Sequence, residues 1–208
     1  MRALTTLETE TVKEILSQAE DHGWEFAGFL ESPNGPSLGI HTSRRPDGVD
    51  PPEQVVTRAR QTGNILVHHN HLSQESLSDV DWMGMVELFS EMFAHCADGT
   101  MYWGRAKDKA ALCRVLESRV ALELRAINSL VALIRYADAN SSYIADFFRK
   151  EILNRAMRIR GIVEYEYRWG AGDAVPPGAR AAARPAHEWG KRFDSAIDTV
   201  AVELAQAL

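Results

Sequence analysis

Cysteine is scarce. The 208 residues contain two, Cys96 and Cys113. Two thiols without a secretory leader imply a reducing compartment, read here as the cytoplasm, and exclude a disulfide framework. Both read as small packed hydrophobes. Long apolar runs are missing too. None approaches the roughly 18 residues that a membrane span needs, and Met1-Arg-Ala-Leu-Thr-Thr-Leu-Glu lacks the apolar centre of a signal peptide. Positive charge is short as well. The net charge is −6; residues 1–107 carry 8 Lys and Arg against 16 Asp and Glu, and residues 108–208 carry 15 against 13. The first half therefore lacks the basic footprint of a nucleic-acid binder. Neither nucleic acid nor membrane is an expected partner. What remains, 45% hydrophobic and 25% charged, is the balance of an ordinary globular chain. It is long enough for a core domain with an extension.

Periodicity divides the chain. Thr11–Glu20 reads as an amphipathic helix with Val12, Ile15, Leu16 and Ala19 on one face and Gly23 as its stop. Trp24–Leu30 and Ser37–Thr42 read as strands around a turn at 32–36. Pro51-Pro52 opens a helix that runs through Gln61 and stops at Gly63. A helix is expected over Asp79–Phe93, with Trp82, Met85, Val86, Phe89 and Phe93 as its core stripe. A hairpin turning at Asp98-Gly99 follows.

From Lys107 the pattern turns helical. Val120, Leu124, Ile127, Val131 and Ile134 step by four and three along an expected helix of about 30 residues. Further helices are expected over Tyr143–Gly161 and His187–Leu208. Residues 170–185, rich in Gly, Ala, Pro and Arg, read as a flexible linker. The expected division is a domain over 1–107 and a mostly helical extension over 108–208. The Val120–Ile134 stripe is covered either by the later helices or by its counterpart in a homodimer, since twofold dimers are the commonest assemblies.

The densest chemistry lies in Asn64–Trp82. Three of the seven histidines, His68, His69 and His71, fall within four residues. They follow Ile65-Leu66-Val67, a short buried strand. Alternate side chains of an extended chain share a face, so His69 and His71 point together and His68 points away. Ser78 and Asp81 follow a polar loop. Their spacing by itself fits a capping box first, and beside the His pair it also fits a carboxylate delivered to the two imidazoles. Two His and one Asp are three ligands, and a catalytic zinc takes three and leaves a position for water. Upstream, Glu25 lies in the first expected strand between aromatic residues. There it is paired, shifted in pKa, or exposed on an edge strand. His95 and Cys96 are adjacent, face opposite ways and cannot share one ion.

His69-Asn70-His71, six residues, then Ser78-Asp79-Val80-Asp81 resembles the motif of the JAMM (JAB/MPN) metallopeptidases. Glu25-Phe26-Ala27-Gly28 matches that family's upstream Glu-x-x-Gly. Leu72 stands where the family has Pro, and the spacer is one residue shorter than in its best-known eukaryotic members. The likeness covers roughly residues 8–107. It implies a three-layer α/β domain of the cytidine-deaminase-like type. It implies Zn2+ on His69, His71 and Asp81, with Glu25 as general base and Ser78 as donor to the oxyanion. The implied reaction is hydrolysis of a peptide or isopeptide bond, commonly at the C-terminus of a ubiquitin-like protein. Two alternatives stand beside it: a non-catalytic scaffold with this fold, and a DNA-repair-associated relative.

Overall fold

The first helix begins with a reciprocal cap. Thr5 Oγ1 accepts from Glu8 N at 3.2 Å, and Glu8 Oε2 accepts from Thr5 N at 2.7 Å. From it runs α1 (Thr6–His22), closed by Gly23 at φ 68°. The structure, a computed structural model, describes residues 1–32, 35–171 and 186–208. The linker expected at 170–185 falls almost wholly outside the described residues.

After α1 come β1 (Ala27–Glu31), β2 (Ser37–His41), α2 (Glu53–Thr62), β3 (Ile65–Asn70), α3 (Asp79–Glu87), β4 (Glu91–His95) and β5 (Met101–Ala106). The second half supplies α4 (Lys109–Glu117), α5 (Arg119–Ile134), α6 (Ser141–Ile159), β6 (Val163–Arg168) and α7 (Ala186–Ala205). The strands form one mixed sheet in the order β2-β1-β3-β4-β5-β6. Only β3 and β4 run parallel; the other pairs are antiparallel. The expected first strand and the histidine strand are thus direct neighbours.

The period of two sorts the side chains by face. Phe29, Ile65, Val67, Met92 and Tyr102 join the main core with residues of α2 to α7. The other face carries Phe93, Met101 and Trp103, packed under Met1 and Leu4. Helix α1 lies on that second face. There a Cβ on Gly28 would collide with Thr11, so only glycine admits the helix so close. A buried polar group sits beneath it. Glu8 and His68 are fully buried and His95 nearly so. His68 Nε2 lies 3.2 Å from Glu8 Oε1, and His68 Nδ1 lies 3.0 Å from His95 Nε2. Burial holds both imidazoles below their ordinary pKa. Glu8 is also pushed up by burial, but His68 and Arg2 outweigh that and hold it well below the carboxylate range. The ionised Glu8 therefore accepts from His68 Nε2–H, and His68 Nδ1 accepts from His95.

Several expectations need correction. The helix over Asp79–Phe93 ends at Glu87, and Phe93 belongs to β4, on the opposite face from Trp82. A run of apolar residues reads alike as helix or buried strand, and here the sheet claimed its end. The 30-residue helix breaks at Ser118 into α4 and α5. Its buried side is Ala126, Leu130 and Ile134, while Val120 and Leu124 are 62% and 56% exposed. Helices α5, α6 and α7 pack on one another within the chain, so the buried face of α5 is set by its two neighbours. The second half is also not wholly helical. Strand β6 pairs antiparallel with β5 over six residues, from Met101–Arg168 to Ala106–Val163. Both halves thus share one sheet. Among the described residues no helix is long and apolar enough to cross a membrane.

Arg155 ties α6 to α7. It is fully buried, and its guanidinium donates to Glu151 at 2.7 Å, Asp198 at 2.7 Å and Asp194 at 2.8 Å while stacking over Tyr167. Removing it leaves the buried Glu151 carboxylate without its cation, with the Tyr165 hydroxyl still donating to it. Breaking such a pair costs about 3–5 kcal/mol. Arg155→Ala is expected to lower the melting temperature by roughly 10 °C, read by circular dichroism.

Candidate metal centre

Two elements, β3 with its extended continuation and α3, deliver the expected ligands. His69 lies on β3, held on one side by Ala27 of β1 and on the other by Ala94 of β4. Strand β3 ends at Asn70, but His71 N still donates to His95 O at 3.0 Å. The backbone therefore stays extended for one more residue, and His71 returns to the face of His69. Asp81 comes from the first turn of α3. The two readings of Ser78 and Asp81 prove compatible. Ser78 is the N-cap of α3, and its Oγ accepts from Asp81 N at 3.3 Å. Asp81 Oδ2 in return accepts from Ser78 N at 2.6 Å and from Ser78 Oγ at 2.7 Å. The cap that starts the helix also aims the carboxylate.

The donor atoms converge. His69 Nε2 and His71 Nε2 lie 2.8 Å apart. Asp81 Oδ1 is 3.2 Å from His69 Nε2, and Asp81 Oδ2 is 3.5 Å from His71 Nε2. All three residues are buried, and together they could hold a metal ion. The spacing fits a small cation: ligands about 2.0 Å from a tetrahedral centre stand about 3.3 Å from one another. The tautomers fit as well. His71 Nδ1–H donates to Glu75 O at 2.8 Å, which leaves the Nε2 lone pair of the neutral ring for the cluster. His69 Nδ1 is buried with no hydrogen-bond partner.

Charge follows the geometry. Burial disfavours a charged His71, but Asp81 and Glu25 outweigh it, and the pKa is pushed up to about 9. Burial likewise opposes the Asp81 carboxylate, which His69 and His71 nonetheless hold well below its ordinary value. A proton and a cation therefore compete for the same place between Asp81 and the imidazoles.

Glu25 stands just before β1, not within it as expected. It is buried, with its backbone fixed by Glu25 N–H donating to Arg45 O at 2.8 Å and Thr42 Oγ1 donating to Glu25 O at 2.7 Å. Burial raises its carboxyl pKa, and the His71 and His69 charges only partly offset this. Glu25, Ser78 and the three ligands line one cavity of about 560 Å³. Leu72, in place of the family's Pro, is 39% exposed and supplies no ligand.

Residues that the sequence did not bring forward hold the loop between His71 and Ser78. Asn154 of α6 donates through Nδ2 to Ser76 Oγ and to Leu77 O, both at 2.9 Å. Its Oδ1 accepts from Trp82 Nε1 at 2.8 Å. Tyr165 of β6 shares a hydrogen bond of 2.6 Å with Ser76 Oγ, and Tyr102 Oη donates to Gln74 O at 3.0 Å. Lys150 Nζ donates to Glu75 Oε2 at 2.7 Å. Trp82 reaches Asn154 past Gly104, where a Cβ would lie 2.6 Å from the indole. The contacts of Asn154, Tyr165 and Lys150 each span more than seventy residues of sequence, and no local pattern announces them.

Compared with known proteins, the chain matches no family model, no curated protein and no solved structure.

Three outcomes follow from the geometry. His69→Ala is expected to abolish stoichiometric metal binding, measured by elemental analysis after dialysis. His68→Ala should lose stability but keep the ion, because His68 faces Glu8 behind the sheet. Asn154→Leu should weaken metal affinity by about tenfold in chelator competition, as loss of a group supporting the ligand shell does.

Proposed function

We propose that the chain is a metal-dependent hydrolase of the JAMM type, cutting a peptide or isopeptide bond. The observation that carries the reading is the sharing of one cavity by five groups. His69, His71 and Asp81 converge there, and Glu25 and Ser78 line the same walls. The one mixed sheet with helices on both faces is compatible with the three-layer domain that the motif implies. The ion proposed is Zn2+, which suits two imidazoles and a carboxylate and leaves a position open.

When bound, the ion supplies Lewis-acid polarisation of a carbonyl and a water acidic enough to react near neutral pH. The chain's own residues do the rest. The Glu25 carboxylate accepts the water proton and returns it to the departing amine. Its burial raises its proton affinity, which suits a base that must also act as an acid. The Ser78 hydroxyl holds Asp81 in the resting arrangement. Redirected to the substrate, it donates to the carbonyl oxygen as that oxygen gains charge. His71 is kept in its ligand tautomer by Glu75 O. Other carboxylates fit the role of base less well: Glu31 pairs with Arg58, and Glu75 pairs with Lys150. The substrate proposed is a protein chain end or side-chain linkage, with a ubiquitin-like C-terminus as one form of it.

Zinc-loaded protein offered a panel of ubiquitin-like fusions and short peptide amides should cleave at least one of them. Glu25→Gln should keep the zinc and lower the rate by about a hundredfold or more, the scale of a lost general base. Failure of the loaded native chain on every peptide and isopeptide bond offered would remove the hydrolase reading.

A further inference from the structure

The three candidate ligands make up only part of the cavity lining. Part of the remaining lining is apolar, and the sheet register shows where it lies. Ala27, His69 and Ala94 form one row across β1, β3 and β4. Two residues further along the strands, Phe29, Val67 and Met92 form the next row on the same face. Two strand residues advance about 7 Å. Ala27, Phe29, Val67 and Met92 all line the cavity, with Phe89 and Met83 beside them. The loop at Pro46–Val49 lines the same cavity. The apolar row is therefore one side chain's reach from the ligand row.

The charged lining narrows the occupant. Glu25, Asp47, Glu75, Asp81 and Glu87 line the cavity against one lysine, Lys150, which is already bonded to Glu75 at 2.7 Å. An anionic ligand meets repulsion there. A neutral group with an apolar tail meets none. The size, about 560 Å³, is within the usual range for a site that encloses a small ligand. Ala27 leaves room in the ligand row itself, next to His69.

We propose that this slot is the specificity pocket of the site: it receives a large apolar side chain or acyl tail attached beside the carbonyl held at the metal centre. The proposal rests on the hydrolase reading above. It departs from what a ubiquitin-like end would present, since glycine has nothing to place against Phe29, Val67 and Met92. The preferred substrate is then a peptide or acyl amide whose residue next to the scissile bond is Leu, Phe, Met or an equivalent straight chain.

Simple hydroxamic acids test this without knowledge of the natural substrate. Each offers a metal-chelating head, and only the tail differs. Isothermal titration of the zinc-loaded full chain would compare acetohydroxamic with octanohydroxamic acid. Each methylene buried in the slot should tighten binding by about fourfold, so the longer acid should bind at least about tenfold more tightly. Met83→Asp places a charge on the slot wall at a helix position that is 36% exposed, and it should bring the ratio of the two affinities towards one. Equal affinities for the two acids in the native chain would overturn the slot. A tail advantage that survives Met83→Asp and a Val67→Phe filling variant would place the tail elsewhere and overturn it too. Binding of neither acid to zinc-loaded protein would overturn the open metal position on which the slot rests, a different failure from equal binding of both.

Discussion

A carboxylate cannot be buried alone, and Asp81 is buried. Desolvation of an isolated anion costs many kcal/mol, so the chain must surround this one with donors or cations. It does so with two imidazoles in front and the N-cap of α3 behind. Each of those partners makes its own demand. His69 needs a strand with neighbours on both sides. His71 needs its Nδ1 proton accepted, and the Glu75 carbonyl does this. That carbonyl belongs to a loop without regular structure, which needs fixing in turn.

The fixing comes from the second half of the chain. Asn154, Lys150 and Tyr165 grip the Glu75–Leu77 stretch through buried hydrogen bonds and one ion pair. Helix α6 is therefore part of the wall of the site, through Lys150, and α5 and α7 pack against α6. Arg155 locks α6 to α7 from the far side, and β6 carries Tyr165 into the sheet. The division at residue 107 is visible in composition, yet hydrogen bonding runs across it at β5–β6 and at the metal loop.

The same sheet carries two chemically different histidine groups. His69 and His71 face the cavity, while His68 and His95 face the covering helix α1 and its buried Glu8. Strand alternation separates them by a single residue. A slip of one position in β3 would exchange the two sets, presenting His68 to Asp81 and His69 to Glu8. The apolar residues of β3 protect against that slip, because Ile65 and Val67 would lose the main core together with His69.

The sequence by itself determined what local periodicity can encode. The pairing of His69 with His71, the opposite direction of His68, the cap of α3, the stops at Gly23 and Gly63, and the Asp98-Gly99 turn each depend on residues a few positions apart. Strand alternation and helix capping act over that range. The convergence of His69, His71 and Asp81, which could hold a metal ion, was legible for this reason, with Glu25 added by motif. Only the tertiary structure decided where the helix after Asp79 gives way to β4, because Phe89, Met92 and Phe93 suit a helix and a buried strand equally well. It alone decided the break at Ser118 and the turned face of α5, since burial there depends on α6 and α7. It alone brought Asn154, Lys150 and Tyr165 to the metal loop. Hydrogen bonds between residues more than seventy positions apart leave no local period to read, and chain folding is the only process that creates their partners.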